Sequence, residues 1–443
     1  MSSVEIVDSR LAAKVAGCVR RLAAVELFPV AVRAVLFLAF FGNSLDLESD
    51  LDPKVGLNLQ AIAKAALMVM AGVLGGMGWW RLPEVRQLQQ TGIGRCSLCL
   101  AALYFASVPT SIDLPVSLVG AIAFPSYLLL LLTALVLHGP FRILYDAFAA
   151  LGCYLLIAWL LYWWMPELGV YMEATGVQGL EIARMHGMGH PNALGRSASI
   201  FALICLAGYR QRHFSWPLAA WGVVFGWVTI WASLSRTALV ACLLSILVFH
   251  RALFRHRWVL VGFGPLCLLV VAGLIFIDSY YGLEQVTTRV LTNASKTGDA
   301  DEIFSVTGRT EIWAYSWQLI KDRPWLGYGS GTSPLLLQDY SHQTHNILLN
   351  PMLSLGVGGG MIVGLWLLLN AVWALKTEVH AVSAICIFIL ISGVTENTIL
   401  PTYPETCTLA WLLISFWPYL RGHSPRAVGG EVGNRLLGDD PQS

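Results

Sequence analysis

Four arginines, two asparagines and one histidine in this chain have the types and setting to act on a phosphate ester. His345, with Asn346 beside it, is the last polar group before an apolar run that begins at Ile347. Imidazole is the side chain whose unperturbed pKa suits a general base near neutrality. His342, one turn upstream, is an alternative for the same role, and a histidine near a helix start is more often structural than catalytic. Arg236 closes the short polar turn Ser233-Leu234-Ser235-Arg236 between two apolar runs. Its plain alternative is an arginine that anchors a helix end at the headgroups. Arg309 follows Gly308, with Trp313 and Trp317 behind it at helical spacing. The two tryptophans read as an interfacial belt on an amphipathic helix rather than as a sugar platform. Arg184 opens Arg184-Met185-His186-Gly187-Met188-Gly189-His190-Pro191-Asn192. Pro191 and Asn192 are also ordinary grammar for the start of a helix. Arg196 comes about one turn later, inside apolar sequence, where an unpaired arginine costs about 2.5 kcal/mol or more.

Guanidinium groups bind phosphate oxygens through paired, charge-assisted hydrogen bonds and stay charged at any working pH. A diphosphate leaving group needs such donors most as its bond breaks. A neutral histidine nearby can take the proton of an attacking hydroxyl, and the neighbouring positive charge favours that neutral form. The chemistry these residues suit is transfer of a group from a lipid diphosphate to a hydroxyl. The acids Asp299, Asp301 and Glu302 are sequence neighbours in a polar run and read as solvated loop, not as the facing pair of a glycosidase.

The elements that must position these groups are membrane helices. The chain is 56% hydrophobic and 12% charged, with 17 Trp, which excludes a soluble globule. Of nine cysteines, Cys153, Cys205, Cys242, Cys267 and Cys386 lie in apolar runs and behave as small hydrophobes. Cys96 and Cys99 form a lone pair, short of the four ligands that a zinc site needs. Apolar runs of spanning length give about twelve helices, near 29–45, 58–79, 96–112, 116–137, 143–165, 191–208, 216–233, 237–253, 258–278, 346–374, 380–396 and 405–420. The tenth is long and Gly-rich, which predicts a tilt or kink. Residues 1–28 carry Val4, Val7, Leu11 and Val15 at helical spacing and read as an amphipathic cytoplasmic segment. No signal-peptidase site follows a short apolar core, so the first span is expected to act as an uncleaved signal.

Lys and Arg fix the expected orientation. Arg10, Lys14, Arg20 and Arg21 precede the first span, and alternate loops carry Arg81, Arg86 and Arg95, then Arg142, Arg210 and Arg212, Arg251, Arg255 and Arg257, then Lys376. Arg421 and Arg426 follow the last span. The first loop of the opposite set is acidic, with Asp46, Glu48, Asp50 and Asp52. Both termini are therefore expected in the cytoplasm. The bundle 29–278 would be followed by an outer loop 279–345, a second group of spans 346–420 and a tail 421–443. Residues 166–190, Ser233–Arg236, the long loop and the turn Glu396–Glu405 would then lie outside, where ATP and nucleotide sugars are not available. No Gly-rich nucleotide loop occurs, so the group to be transferred must arrive already activated on a lipid.

These motifs are together similar to those of the O-antigen ligase and O-antigen polymerase superfamily of bacterial membrane proteins. The resemblance covers roughly residues 180–400. It is carried by Arg184-x-x-Gly187 with Pro191-Asn192, Ser235-Arg236, Gly308-Arg309-x-x-x-Trp313, Pro324-x-x-Gly327-x-Gly329, and His345-Asn346 followed by Gly356 and Gly359. It implies an all-α integral membrane protein of about twelve spans, with one large periplasmic loop between spans nine and ten, in the bacterial inner membrane. The implied donor is a glycan on undecaprenyl diphosphate, and the acceptor a lipid or saccharide hydroxyl. No metal, nucleotide, other cofactor or nucleic acid is implied. His345 would be the general base, with Arg236 and Arg309 on the diphosphate and Arg184, Asn192, Arg196 and Asn346 as further substrate-binding candidates. Ligation of O-antigen to lipid A-core is the leading expectation, and a repeat-unit polymerase the alternative. A twelve-span transporter is the rival from another class. It would show corresponding features in both halves and a site at mid-membrane depth, whereas the candidates here cluster at one face and late in the chain.

Overall fold

The computed structural model describes residues 27–42, 59–174, 181–187, 189–249, 309–338, 340–341, 343–377, 379–400 and 403–420. The expected N-terminal amphipathic segment, the ninth span at 258–278, most of the long loop and the tail lie outside the described residues. What is described is mostly helical. Helix α1 spans Leu27–Gly42. It is followed by α2 Leu59–Arg81, the short α3 Pro83–Gln90, α4 Gly92–Ser107 and the long α5 Leu114–Trp164. A continuous α5 would measure about 76 Å at 1.5 Å per residue, more than twice the hydrocarbon core. It is broken at Gly139, whose φ of 76° leaves the helix just before Pro140, where no N–H is available to continue the ladder. The break falls between the expected spans 116–137 and 143–165. Among the described residues, four helices are long and apolar enough to cross a membrane, and several shorter apolar helices accompany them.

In the apolar phase helices associate by close packing rather than by a hydrophobic drive, so small residues line their contacts. Gly72, Gly75 and Gly78 of α2 recur every three residues on one face, where any added side chain would run into Ser126, Leu129 and Thr133 of α5. Helices α7 Pro191–Arg210 and α8 Trp216–Ala232 meet in the same way, with Gly222 against Cys205 and Gly226 against Ala202.

One expectation needs correction. The chain is not wholly α, because two short strands lie in the connection at 166–190. After the single turn α6 Pro166–Gly169, strands β1 Val170–Ala174 and β2 Glu181–Met185 pair antiparallel, with Tyr171 opposite Arg184. Hydropathy counting cannot see so short a pair, because two five-residue strands carry too little alternation to stand out from loop.

The second half of the site frame consists of α9 Arg236–Phe249, α10 Arg309–Asp322, the one-turn α11 Ser333–Leu336, α12 Leu349–Lys376, α13 His380–Thr395 and α14 Thr406–Phe416. The kink expected in the Gly-rich helix is at Gly356, with φ 77° and ψ −179°. It frees backbone groups that the preceding loop takes up. Tyr328 N donates to Leu353 O at 3.0 Å, Gly329 N to Ser354 O at 3.0 Å, and Val357 N to Pro324 O at 2.7 Å. Irregular backbone within an apolar helix is tolerated because protein satisfies it. The Pro324-x-x-Gly327-x-Gly329 motif is thus a clamp on the broken helix. A side chain at Gly356 would meet the carbonyl of Trp325, and its φ, ψ region is essentially open only to glycine. Gly356→Ala is expected to destabilise the protein by about 1–3 kcal/mol from backbone strain alone, seen as a lowered melting temperature in detergent. An unchanged melt would show that the break is not held as described.

Candidate functional site

Glu396 follows the last residue of α13 in extended conformation, and Asn397, Thr398, Ile399 and Leu400 after it are all buried without being helical. This sunken connection is tied to the start of α12. Asn350 Nδ2 donates to Leu400 O at 3.3 Å, and Ile347 N donates to Gly393 O at 2.8 Å. It carries a carboxylate only 3% exposed, a costly placement unless charge is brought to meet it.

Charge comes from two separate parts of the chain, α10 and α7. Arg309, the first residue of α10, donates from Nη2 to Glu396 Oε1 at 2.7 Å. Arg196, on the second turn of α7, reaches Glu396 Oε2 with Nη1 at 3.3 Å and Glu405 Oε2 with Nη2 at 3.3 Å. Both of its terminal nitrogens are therefore engaged by carboxylates, which answers the cost of burying it. Asn192 Nδ2 donates to Glu396 Oε1 at 2.9 Å, and Asn192 Oδ1 accepts from Arg184 Nη2 at 2.8 Å. Arg184 is itself buried, and its Nε donates to Ser233 O at 3.0 Å. Local sequence explains how Asn192 is presented. Pro191 occupies the first helical position of α7, and His190 caps the helix by accepting from Asn192 N at 3.2 Å.

His345 supplies the fourth contact, with Nδ1 3.4 Å from Glu396 Oε2. Its backbone is left-handed, with φ 49°, an unusual state for a residue with a side chain. The neighbours impose it. Thr344 O accepts from Trp313 Nε1 at 3.0 Å, while Asn346 Oδ1 accepts from Leu348 N at 2.9 Å and Leu349 N at 3.0 Å. Asn346 Nδ2 donates to Val394 O at 3.1 Å. The carboxylate can only accept, so Nδ1 bears a proton, and in the neutral ring the Nε2 lone pair is left as the basic site. Ser341 Oγ lies 2.9 Å from that nitrogen.

Burial alone would raise the pKa of Glu396. The His345 hydrogen bond and the charges of Arg196 and Arg309 reverse that effect and hold it at about 2, so the carboxylate is ionised at any physiological pH.

Arg236 stands apart. It is the first residue of α9, exposed, and has no hydrogen-bond or ion-pair partner among the described residues. It lies at the same end of the bundle, since Thr395 Oγ1, one residue before Glu396, donates to Thr237 Oγ1 at 3.2 Å. The turn before it packs tightly on α7, where a side chain at Gly195 would meet Ser233 and Ser235.

The structure therefore brings Arg184, Asn192, Arg196, Arg309 and His345 into one bonded cluster, places Arg236 beside it, and uses Asn346 as the cap of α12. Trp313 turns inward to the backbone next to His345 instead of serving only as a membrane belt, whereas Trp317 is 45% exposed. Gly308 and His342 lie outside the described residues. Sequence reasoning missed the hub, Glu396, together with its companion Glu405. The available signal was two acids bounding a turn between apolar runs, and that turn was read only for its side of the membrane. Among the described residues no three His, Cys, Asp or Glu side chains converge as a metal would need.

A buried carboxylate that orients a histidine among fixed guanidinium groups, at one end of a helical membrane bundle, defines a polytopic protein with a site suited to anionic substrates. Residues 221–364 match the family model described as O-antigen ligase, and the match supports the superfamily that the motifs resemble. The matched stretch holds Arg236, Arg309, His345, Asn346 and Gly356, while Arg184, Asn192, Arg196 and Glu396 lie outside it. No match was found among curated proteins.

Proposed function

We propose that this protein transfers a glycan from undecaprenyl diphosphate to an acceptor hydroxyl on the periplasmic face of the inner membrane, and that the reaction is ligation of O-antigen to lipid A-core. The observation that carries the reading is the Glu396–His345 pair set among arginines. Arg196 and Arg309 are set against Glu396 and Glu405, and Arg236 adds a positive charge with no partner among the described residues. A diphosphate diester is an anion that such a charge can receive. Arg236 and the N–H groups of Arg309 not used on Glu396 are the donors for its oxygens. Arg184, Asn192 and Arg196 hold Glu396 in place, and Glu396 holds the imidazole.

In the transfer step the acceptor oxygen forms a bond to the anomeric carbon while its proton passes to His345 Nε2. The bond from that carbon to the diphosphate oxygen breaks, and the lipid diphosphate leaves with the electron pair, its growing charge met by the arginines. No step uses a metal, nucleotide or other cofactor. The reading includes about twelve spans, cytoplasmic termini and a periplasmic loop at 279–345, which puts the site on the side where lipid-linked glycans are presented.

Arg236→Lys keeps the charge and loses the planar fork, so transfer is expected to fall roughly tenfold, and Arg236→Ala roughly 10²–10³-fold, with melting temperature unchanged. Near-wild-type turnover by the lysine variant would leave Arg236 as an anchor at the headgroups. The family description leaves a polymerase as the second reading, and deletion in the native host separates the two. A missing ligase strands full-length polymer on the carrier lipid and leaves surface lipid bare. A missing polymerase leaves surface lipid bearing at most one repeat unit, and that pattern would reassign the acceptor without moving any site residue.

A further inference from the structure

Ser341 is the group in the cluster to which the transfer mechanism gives no task. Its Oγ accepts from Gln343 N at 3.3 Å and lies 2.9 Å from His345 Nε2; with the ring neutral and its proton on Nδ1, Nε2 can only accept, so the hydroxyl is the donor there. Glu396 accepts from the other ring nitrogen, so in the neutral-ring state the protons run from Gln343 through Ser341 and His345 to Glu396. The segment is firmly seated. Ser341 N donates to Leu337 O at 2.7 Å, Leu337 is fully buried, and the ring of Tyr340 lies 4.9 Å from that of Tyr315 on α10.

The Nε2 nitrogen has one lone pair. A hydroxyl that donates to it fills the place that an acceptor hydroxyl must occupy for its proton to be taken. We propose that Ser341 guards the base: its hydroxyl covers His345 Nε2 in the resting site, keeps water from being activated there, and gives way to the hydroxyl of the correct acceptor. This rests on the reading of His345 as the base of glycan transfer. Without such a guard, water seated at Nε2 would pass its proton to the ring while its oxygen attacked the anomeric carbon. The carbon–diphosphate bond would break, and the donor would be wasted as free glycan and lipid diphosphate. Ser341 is a specificity residue in this account, one that sets the choice between acceptor and water.

The test measures two products with purified protein and a glycan linked to undecaprenyl diphosphate: glycosylated acceptor, and free glycan released without acceptor. Ser341→Ala is expected to raise acceptor-independent release roughly two- to tenfold, the range supplied by one competing neutral hydrogen bond, and to keep transfer. Ser341→Thr retains the hydroxyl and should restore the wild-type ratio. Ser341→Cys, nearly isosteric with a weaker donor, should fall between the two and serves if the alanine variant folds poorly. A purely structural serine would not change the ratio of release to transfer, and an unchanged ratio overturns the guard. Equal loss of both products also overturns it, because the hydroxyl would then lie on the reaction path. If wild-type protein itself yields neither product, the transfer reading fails before the serine is tested.

Discussion

Glu396→Ala is expected to lose about 3–5 kcal/mol of stability and all measurable transfer, the largest combined effect of any single change in this protein. Removal of the carboxylate leaves Arg309 without its described partner and Arg196 with only Glu405, in surroundings where neither charge is well solvated. It also takes the acceptor from Asn192 Nδ2, through which Arg184 is linked to the hub, and from His345 Nδ1. Glu396→Gln is the sharper probe, since it keeps shape and one carbonyl oxygen but not the charge. The pH dependence has a definite sign. The carboxyl is held at about 2 in the fold against an ordinary value of 4.5, so its contribution is fully present above about pH 4.5 and is lost as pH falls through about 2. The gap in melting temperature between wild type and Glu396→Gln should therefore be widest at neutral pH and narrow across that window. A gap that stays constant down to pH 2 would mean that the charge is not what the arginines hold.

His345→Ala is expected to reduce transfer roughly 10²–10⁴-fold while the protein inserts and loses only about 1 kcal/mol of stability, from the hydrogen bond to Glu396. The geometry separates the two effects. Trp313 and Asn346 anchor the backbone on either side of His345, so the loop does not depend on the imidazole to stay in place. The ring is still partly open, with 22% of its side chain exposed, and its loss creates little cavity. Truncation of a packing residue would lower stability well beyond that, along with rate. A variant that folds and keeps its full rate would remove His345 from the chemistry.

The helices and their breaks were legible in the sequence because each depends on local chemistry. Runs of spanning length match the longer apolar helices among the described residues to within about five residues, whereas α3, α6, α10 and α11 fall outside every expected span, and the glycines near 356 announced the kink that Gly356 makes. The arginines and histidine stood out because charged groups beside apolar runs are expensive and few. The gathering of those groups was not legible. Glu396 is bonded to residues 51, 87, 200 and 204 positions away, and no spacing rule links a lone acid in a buried turn to partners at such separations. Asn346 shows the converse. Its place beside His345 suggested a substrate contact, and its side chain is taken up by Leu348 N, Leu349 N and Val394 O. A polar residue at the first turn of a helix has capping as a competing task, and sequence cannot decide between them.

The most direct measurement incubates purified protein in lipid with undecaprenyl diphosphate-linked glycan and separate candidate acceptors, with chelator present. Glycosylated acceptor and released lipid diphosphate are then quantified. The account predicts that the two appear in equal amounts with one acceptor, unaffected by chelation, and that neither appears with His345→Ala. Donor recovered intact, or moved across the bilayer with its sugar–phosphate bond unbroken, would contradict it.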